Sequence, residues 1–427
     1  MKRALKQPIA ALLAMLAHFI VRKYKPVIIM VTGSVGKTST KDALRAALSE
    51  RSFVRASEKS YNSEFGVPLT IIGAKNPWTN PISWLGVYRE ALALLLLPSH
   101  YPKILILEVG ADRPGDLEKI LRIALPNAVV VTRLPEVPVH VEAYATPEAV
   151  REEEFVPAYG LAPQAPLIVN AEDEYALAYA KRLPVTLYTF GFREHANIFI
   201  QHPKPFTEKK KIAGMEATIT VDDKNYPVRI NGAIGNQPLL AVGAALAAAL
   251  SLGIEATDAL QGLTSYLPPP GRSRLLAGKE GSVIIDDSYN ASPAATEEAL
   301  RSLSLIPAER RIAVLGDMLE LGRYSVGEHE RVGTLAAECA DMVVAVGLRS
   351  RALARAARAA GMKESAVYSY DNSLAAAEFL SPLLKKGDVI LIKGSQSIRT
   401  ERIVEALLQN QDDVSKLVRQ DKEWKLR

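Results

Sequence analysis

The segment Thr32-Gly33-Ser34-Val35-Gly36-Lys37-Thr38-Ser39 follows an apolar run over 27–32 and opens a stretch of helical period through Ala43 to Leu48. Strand, glycine loop and helix in this order aim backbone N–H groups and a helix N-terminus at one point, where phosphate oxygens are the fitting ligand. In such a loop Lys37 reaches the terminal phosphates and the Thr38 hydroxyl binds magnesium. Position 31, five before Gly36, is Val31, so the loop is the short GxxGKT form rather than GxxxxGK[ST]. Gly33, Ser34, Val35, Gly36, Lys37, Thr38 and Ser39 are the expected nucleotide contacts.

The surrounding pattern predicts an α/β chain. Short Val- and Ile-rich runs at 27–32, 104–108, 128–132 and 167–170 alternate with helix-period segments, as in β-α-β units around a mostly parallel sheet. Over 198–230 the pattern becomes alternating strands with a turn at Asp222-Asp223-Lys224-Asn225, read as an antiparallel hairpin, and an alanine-rich helix over 239–252 follows. Pro268-Pro269-Pro270-Gly271 stops any helix and marks a linker. Beyond it, strands at 282–286, 311–316, 342–346 and 388–392 give a second open α/β sheet. The expected organisation is an apolar and basic N-terminal helix (1–25), a central ATP-binding domain with a phosphate loop (26–269), a C-terminal α/β domain (270–411) and a charged, solvated tail (412–427).

Composition excludes several classes. With 427 residues the chain can bury large cores, and its one cysteine, Cys339, rules out an intramolecular disulfide and an all-cysteine metal site. The net charge of +5 comes from 52 basic and 47 acidic residues that are interspersed, so charge alone indicates no nucleic-acid surface. Residues 9–21 are apolar and flanked by Lys2, Arg3 and Lys6 before and Arg22, Lys23 and Lys25 after. No small-residue cleavage site separates this run from the phosphate loop, which argues against secretion. The run falls short of the ~20 residues that span a bilayer, leaving a packed helix or a cationic helix on a membrane surface.

Two further features place carboxylates near the loop. Glu108 closes the run 104–107 and so stands at a strand's carboxyl end, where α/β folds bind ligands. His140, with Glu142, follows the next strand and can approach the same edge, as a metal ligand or as a structural residue.

After residue 26 the chain resembles the Mur ligase family. The blocks that carry the resemblance are the phosphate loop; Tyr61-Asn62-Ser63-Glu64-Phe65-Gly66-Val67-Pro68-Leu69-Thr70; Glu108-Val109-Gly110-Ala111-Asp112; Val139-His140-Val141-Glu142; Pro270-Gly271-Arg272; Asp286-Asp287-Ser288-Tyr289-Asn290; Leu315-Gly316-Asp317-Met318-Leu319-Glu320-Leu321-Gly322; His329; and Lys393-Gly394-Ser395. The forms GVPLT, DDSYNASP and GDMLELG match the D-alanyl-D-alanine-adding branch, MurF, and the diamino-acid branch's DNPR motif is absent. The resemblance implies an ATP- and Mg2+-dependent peptide ligase of peptidoglycan precursor synthesis. A muramoyl-peptide carboxylate attacks the γ-phosphate, and D-Ala-D-Ala displaces phosphate from the acyl phosphate. It further implies catalytic Lys37, Glu108, His140 and Glu154, metal ligands Thr38, Glu108 and His140, nucleotide contacts Asn236, Arg272, Asp287 and Asn290, and substrate contacts Asn62, Ser63 and Lys393. The expected setting is a monomer in the cytoplasm with no nucleic-acid partner, and with membrane contact through residues 1–25 as an open reading.

Three departures matter. About 25 residues precede the first strand, where the MurF branch has a domain for the UDP-sugar end. An apolar insertion over 84–98 adds to the leader, as ordinary helix packing or as a second membrane element. Glu154 stands where most of the family carries a carbamylated lysine, either as a permanent carboxylate or as one of a run of exposed acids, Glu152 to Glu154. Ala241 replaces an asparagine near the adenine, with Asn236 and Gln237 available instead. The rival readings are a folylpolyglutamate-like or poly-amino-acid ligase and a non-catalytic ATP-binding scaffold.

Overall fold

The computed structural model describes residues 3–77, 80–209, 211–421 and 424, with the side chains of 3–6 and 81 outside the description. The first sheet has nine strands: β1 (Val27–Thr32), β2 (Val54–Ala56), β3 (Ile104–Glu108), β4 (Ala128–Val131), β5 (Pro166–Asn170), β6 (Thr186–Gly191), β7 (Ile198–Glu208), β8 (Lys211–Val221) and β9 (Lys224–Asn231), in the order β2-β3-β1-β4-β5-β6-β7-β8-β9. Pairing is parallel from β2 through β7 and antiparallel for β7–β8 and β8–β9.

Period 2 sorts the central strands onto two cores. Ile28, Met30, Leu105, Leu107, Val129 and Val131 face one side, where they meet α1 (Arg3–Tyr24), α3 (Gly66–Ile72), α4 (Pro81–Leu96) and α5 (Asp116–Ile123). Ile29, Val31, Ile104, Ile106 and Val130 face the other, against α2 (Lys37–Ser49) and the alanine-rich α8 (Asn236–Ser251). Strands buried on both faces read as unbroken apolar runs, which is why they were legible in sequence. Between these helices lie α6 (Pro147–Tyr159) and α7 (Glu174–Ala180).

The second sheet comprises β10 (Arg274–Ala277), β11 (Val283–Asp287), β12 (Arg310–Gly316), β13 (Met342–Val346), β14 (Val367–Tyr370) and β15 (Asp388–Lys393), ordered β10-β11-β15-β12-β13-β14 and parallel except for β10–β11. The apolar cluster under α8 continues into this half through Ile285, Ala299, Leu303 and Leu315, so the two sheets share packing.

Two expectations are revised and one open alternative is decided. The hairpin over 198–230 is a three-stranded meander, β7–β8–β9, that extends the first sheet. The expected solvated tail is buried in part: Asp412, Ser415 and Lys416 are exposed, but Leu417 and Val418 are buried and the buried Arg419 pairs with Glu401 at 2.8 Å, while 422, 423 and 425–427 lie outside the described residues. Glu154 is not one of an exposed acid run, being 2% exposed. In the N-terminal run Leu13, Leu16, Ala17 and Ile20 at helical spacing are buried against the first core.

Candidate active site

Strand register brings the first wall together. Val31 pairs with Glu108 in β3 and Thr32 with Val131 in β4, so Glu108, the glycine loop and Thr132-Arg133 share the carboxyl edge of three adjacent strands. Gly33 and Gly36 have φ of +113° and +90°. A Cβ on Gly33 would lie 2.5 Å from Thr132 Oγ1, so the backbone can run this close to β4 only with glycine. The Ser34 N–H donates to the Arg133 carbonyl at 2.8 Å, which fixes the loop to the neighbouring strand.

Lys37 opens α2, and its ammonium donates to the Gly33 carbonyl. Thr38 Oγ1 donates to Glu108 Oε1 at 3.0 Å, and Ser60 Oγ donates to the same oxygen. Glu108 is 2% exposed, and its Oε2 is buried with no hydrogen-bond partner. A buried carboxylate oxygen left open beside a threonine hydroxyl fits a hard divalent cation completed by substrate phosphates. Among the described residues no group of three or more His, Cys, Asp and Glu side chains is arranged to cage a metal.

Glu154, on α6, accepts from Ser34 Oγ at 2.6 Å, and its own carbonyl accepts from Thr32 Oγ1 at 2.6 Å. Burial raises its carboxyl pKa, opposed by the charge of Lys37 and the Ser34 hydrogen bond. It therefore sits directly under the phosphate loop. His140, at φ +65°, turns Nδ1 to Glu320 at 3.0 Å and Nε2 to Asp112 at 3.6 Å. Burial disfavours the charged ring, yet the hydrogen bond and charge of Glu320 and the charge of Asp112 outweigh it and lift the histidine above its ordinary value. The same hydrogen bond lowers Glu320. His140 thus engages the opposite wall, and no contact joins it to Glu108.

On the second wall Asp287 pairs in register with Lys393, and Lys393 Nζ donates to Asp287 Oδ2 at 2.7 Å and to the Asn290 carbonyl at 2.9 Å. Lys393 is buried, with its pKa lowered by burial against the pull of Asp287. Asn290 and Arg272 face the cavity, and Arg272 lies 4.2 Å over the Tyr289 ring with its Nε buried and unpartnered. His329 Nε2 accepts from the Met318 N–H at 3.0 Å, which leaves Nδ1 to donate to the Ser325 carbonyl at 2.6 Å and holds the turn leading to Glu320. Ser395 Oγ accepts from the Leu319 N–H at 2.9 Å, tying that turn to the end of β15.

The two walls enclose a cavity of about 750 Å³, lined on one side by residues 34–38, Asn62, Glu108, Asp112 and His140, and on the other by Arg272, Tyr289, Asn290, Glu320, Arg399 and Trp424. A narrower cleft reaches from Gly36 and Ser39 past Gln237 to Arg272 and Asp287. Gln237, rather than Asn236, lines that cleft; Asn236 Oδ1 is buried without a partner. Ser63 is exposed and its Oγ accepts from the Gly66 N–H at 3.4 Å, while Asn62 lines the cavity. Lys393 does not line the large cavity but lines the narrower cleft, where it is held by Asp287.

Sequence reading did not single out Ser60, Arg399 or Trp424. Arg399 Nε donates to Glu401 at 2.5 Å and Nη1 donates to the Trp424 carbonyl at 3.3 Å. Arg419 Nη1 donates to the Ser288 carbonyl at 3.1 Å and Nη2 to the Tyr289 carbonyl, and Asp421 pairs with Lys59 of the first wall. Residues 417–421 thus form a strap between the two walls, and Trp424 lines the cavity. Arg399, six residues past Lys393, was within reach of motif reading; the strap depends on long-range contacts that leave no local pattern.

Comparison with known proteins agrees with this architecture. The Mur ligase middle domain matches residues 31–249, and the Mur ligase glutamate ligase domain matches 271–396. The UDP-N-acetylmuramoyl-tripeptide–D-alanyl-D-alanine ligase of Bacillus subtilis is 28% identical over 386 residues, covering 90% of this chain and 76% of its own. A crystal structure of MurF from Acinetobacter baumannii superimposes with TM-score 0.77 at 22% identity, covering 94% of this chain and 81% of that one. MurF ligase from Thermotoga maritima in complex with ADP gives TM-score 0.75 at 24% identity, covering 95% and 84%.

Proposed function

The chain belongs to the Mur ligase family, and from that premise we propose that it is an ATP- and magnesium-dependent ligase of peptidoglycan precursor synthesis. It joins a muramoyl tripeptide to D-Ala-D-Ala in the cytoplasm, working as a monomer, with both walls of the site supplied by one chain. The observation that carries this reading is the pairing of a phosphate loop with Glu108, whose free buried oxygen stands beside Thr38 on the same cavity. Relatives named for this reaction support the choice of substrates.

The chemistry needs little covalent help from protein. An acceptor carboxylate oxygen attacks the γ-phosphorus and ADP departs, leaving an acyl phosphate; the amine nitrogen then bonds to the acyl carbon, phosphate leaves and one proton is lost to solvent. Lys37 and the loop N–H groups neutralise and orient the phosphates. Thr38 and Glu108 are the residues that would hold magnesium, which supplies positive charge to the transferring phosphoryl group. Asn62 lies at the acceptor side, while Arg272 and Asn290 complete the nucleotide site from the second wall. His140, clamped between Asp112 and Glu320, pins the walls together.

The test is phosphate release with ATP and magnesium, omitting the UDP-muramoyl tripeptide or D-Ala-D-Ala in turn. Release that requires both, with the amide product seen by mass spectrometry, is the expected result. Release with a different acceptor or amine alone would move the chain to another amide-ligase branch.

A further inference from the structure

The face formed by α1 and α4 is apolar on the outside as well as the inside. Leu13, Leu16, Ala17 and Ile20 of α1, and Trp84, Val87 and Ala91 of α4, pack into the core. On the opposite stripe of α1, Leu12, Met15 and Phe19 are 41–49% exposed; on α4 and its C-cap, Ile82, Leu85, Leu92, Leu96 and Leu97 are 47–77% exposed. Spacings of three, four and seven keep each set on one helical face, and Arg89 occupies the remaining turn between Leu85 and Leu92. Eight of the 18 large exposed hydrophobics among the described residues therefore lie on these two helices. Scattered apolar residues are ordinary, but a concentration of this kind marks an interaction surface.

The two helices form one unit. Lys23 Nζ donates to the carbonyls of Leu94 (2.7 Å), Leu95 (3.1 Å) and Leu97 (2.8 Å), and Tyr24 Oη donates to that of Leu94 at 2.7 Å. These bonds satisfy the carbonyls at the end of α4 and fix its position against α1.

Charge selects the occupant. Residues 1–25 contain no Asp or Glu and six Lys or Arg, of which Arg22, Lys23 and Lys25 are exposed at the end of the apolar stripe. On α4 the only acid is Glu90. Two copies of such a face would oppose like charges, which disfavours self-association. Apolar stripes rimmed by cations fit the boundary between acyl chains and anionic headgroups. Among the described residues no helix is long and apolar enough to cross a membrane, so the pair would lie on the surface.

We propose that the α1–α4 face docks the enzyme on an anionic phospholipid bilayer. The short α3, which leaves the cavity-lining Asn62 segment, packs against both helices, so docking holds the cavity one helix away from the lipid. The inference rests on this face alone and does not depend on which amide the enzyme makes.

The test is co-sedimentation of the full chain with phosphatidylcholine vesicles containing or lacking phosphatidylglycerol, at low and high salt, comparing wild type with Phe19→Glu/Leu85→Glu. Both positions are exposed, and retained ADP binding reports that the variant is folded. Expected are at least ~10-fold stronger partitioning onto the anionic vesicles, weakening with salt, and a ~10-fold loss in the variant. The proposal is overturned if wild type stays in the supernatant at low salt, binds both vesicle types equally, or binds no better than the folded variant. A wild-type dimer abolished by the variant, with no vesicle binding, would likewise overturn it and assign the face to a second copy.

Discussion

The two walls of the cavity are built at the same topological position, the carboxyl ends of parallel strands, yet they use their charges in opposite ways. On the first wall Glu108 receives two hydroxyl hydrogen bonds on one oxygen and none on the other, and Lys37 rests on a loop carbonyl. These groups can exchange their present contacts for phosphate and metal. On the second wall most charges satisfy each other, Asp287 with Lys393 and Glu401 with both Arg399 and Arg419, while Arg272 Nε and Asp286 Oδ2 stay unpartnered. The first wall supplies reagents, and the second is a scaffold that presents Arg272, Asn290 and Arg399 at fixed positions.

Breaking the scaffold should cost folding more than chemistry. Lys393→Ala leaves Asp287 buried and unpaired, and the expected loss is about 3–5 kcal/mol in urea unfolding. The double substitution Lys393→Met/Asp287→Asn should recover a large part of it; no recovery would mean that Lys393 acts other than through this pair. Breaking the reagent wall should do the reverse. Lys37→Ala is expected to lower phosphate release by about 10²–10³-fold while the unfolding midpoint stays near that of wild type. A comparable drop in stability would erase the distinction between the walls.

The scaffold also predicts a pH signature. Burial pushes the Asp286 carboxyl up to about 6, despite hydrogen bonds from Ser288 that oppose it. Between the ordinary aspartate range and pH 6 the native state holds a proton that the unfolded chain has released. Stability should therefore fall as pH rises through this window, by on the order of 3 kcal/mol, and level off above it. Asp286→Asn should lack that slope when unfolding is measured from pH 4 to 7; an unchanged slope would assign it to other groups. The smallest effect belongs to the strap. Lys59 and Asp421 are half-exposed, so Asp421→Ala should cost about 1 kcal/mol or less. It should also speed amide exchange in both 57–62 and 417–421; exchange altered on one side only would show that the strap does not link the walls.

The same contrast explains what could be read from sequence. The glycine loop, Thr38 and Glu108 lie at strand ends with local signatures, and doubly buried strands announce themselves as Val- and Ile-rich runs. The extra strand of the meander escaped because its turn runs through Glu208 and Lys209, with no glycine or asparagine to mark it. The motif marks Lys393 as a site residue; strand register, which pairs it with Asp287 beside the narrower cleft, is not visible along the chain. The C-terminal segment looks solvated by charge count, whereas Arg419 is neutralised by Glu401, 18 residues earlier, and by carbonyls of the loop after β11. Pairing of charges distant in sequence was the information the sequence withheld.

The most direct measurement of the central claim, that the reagent wall passes a γ-phosphoryl group to a carboxylate, uses an acceptor labelled with ¹⁸O in the reacting carboxyl group. After turnover with ATP and D-Ala-D-Ala, the released phosphate should carry one ¹⁸O, because the acyl-phosphate bridge oxygen leaves with phosphorus. Amide formed alongside unlabelled phosphate would contradict the account.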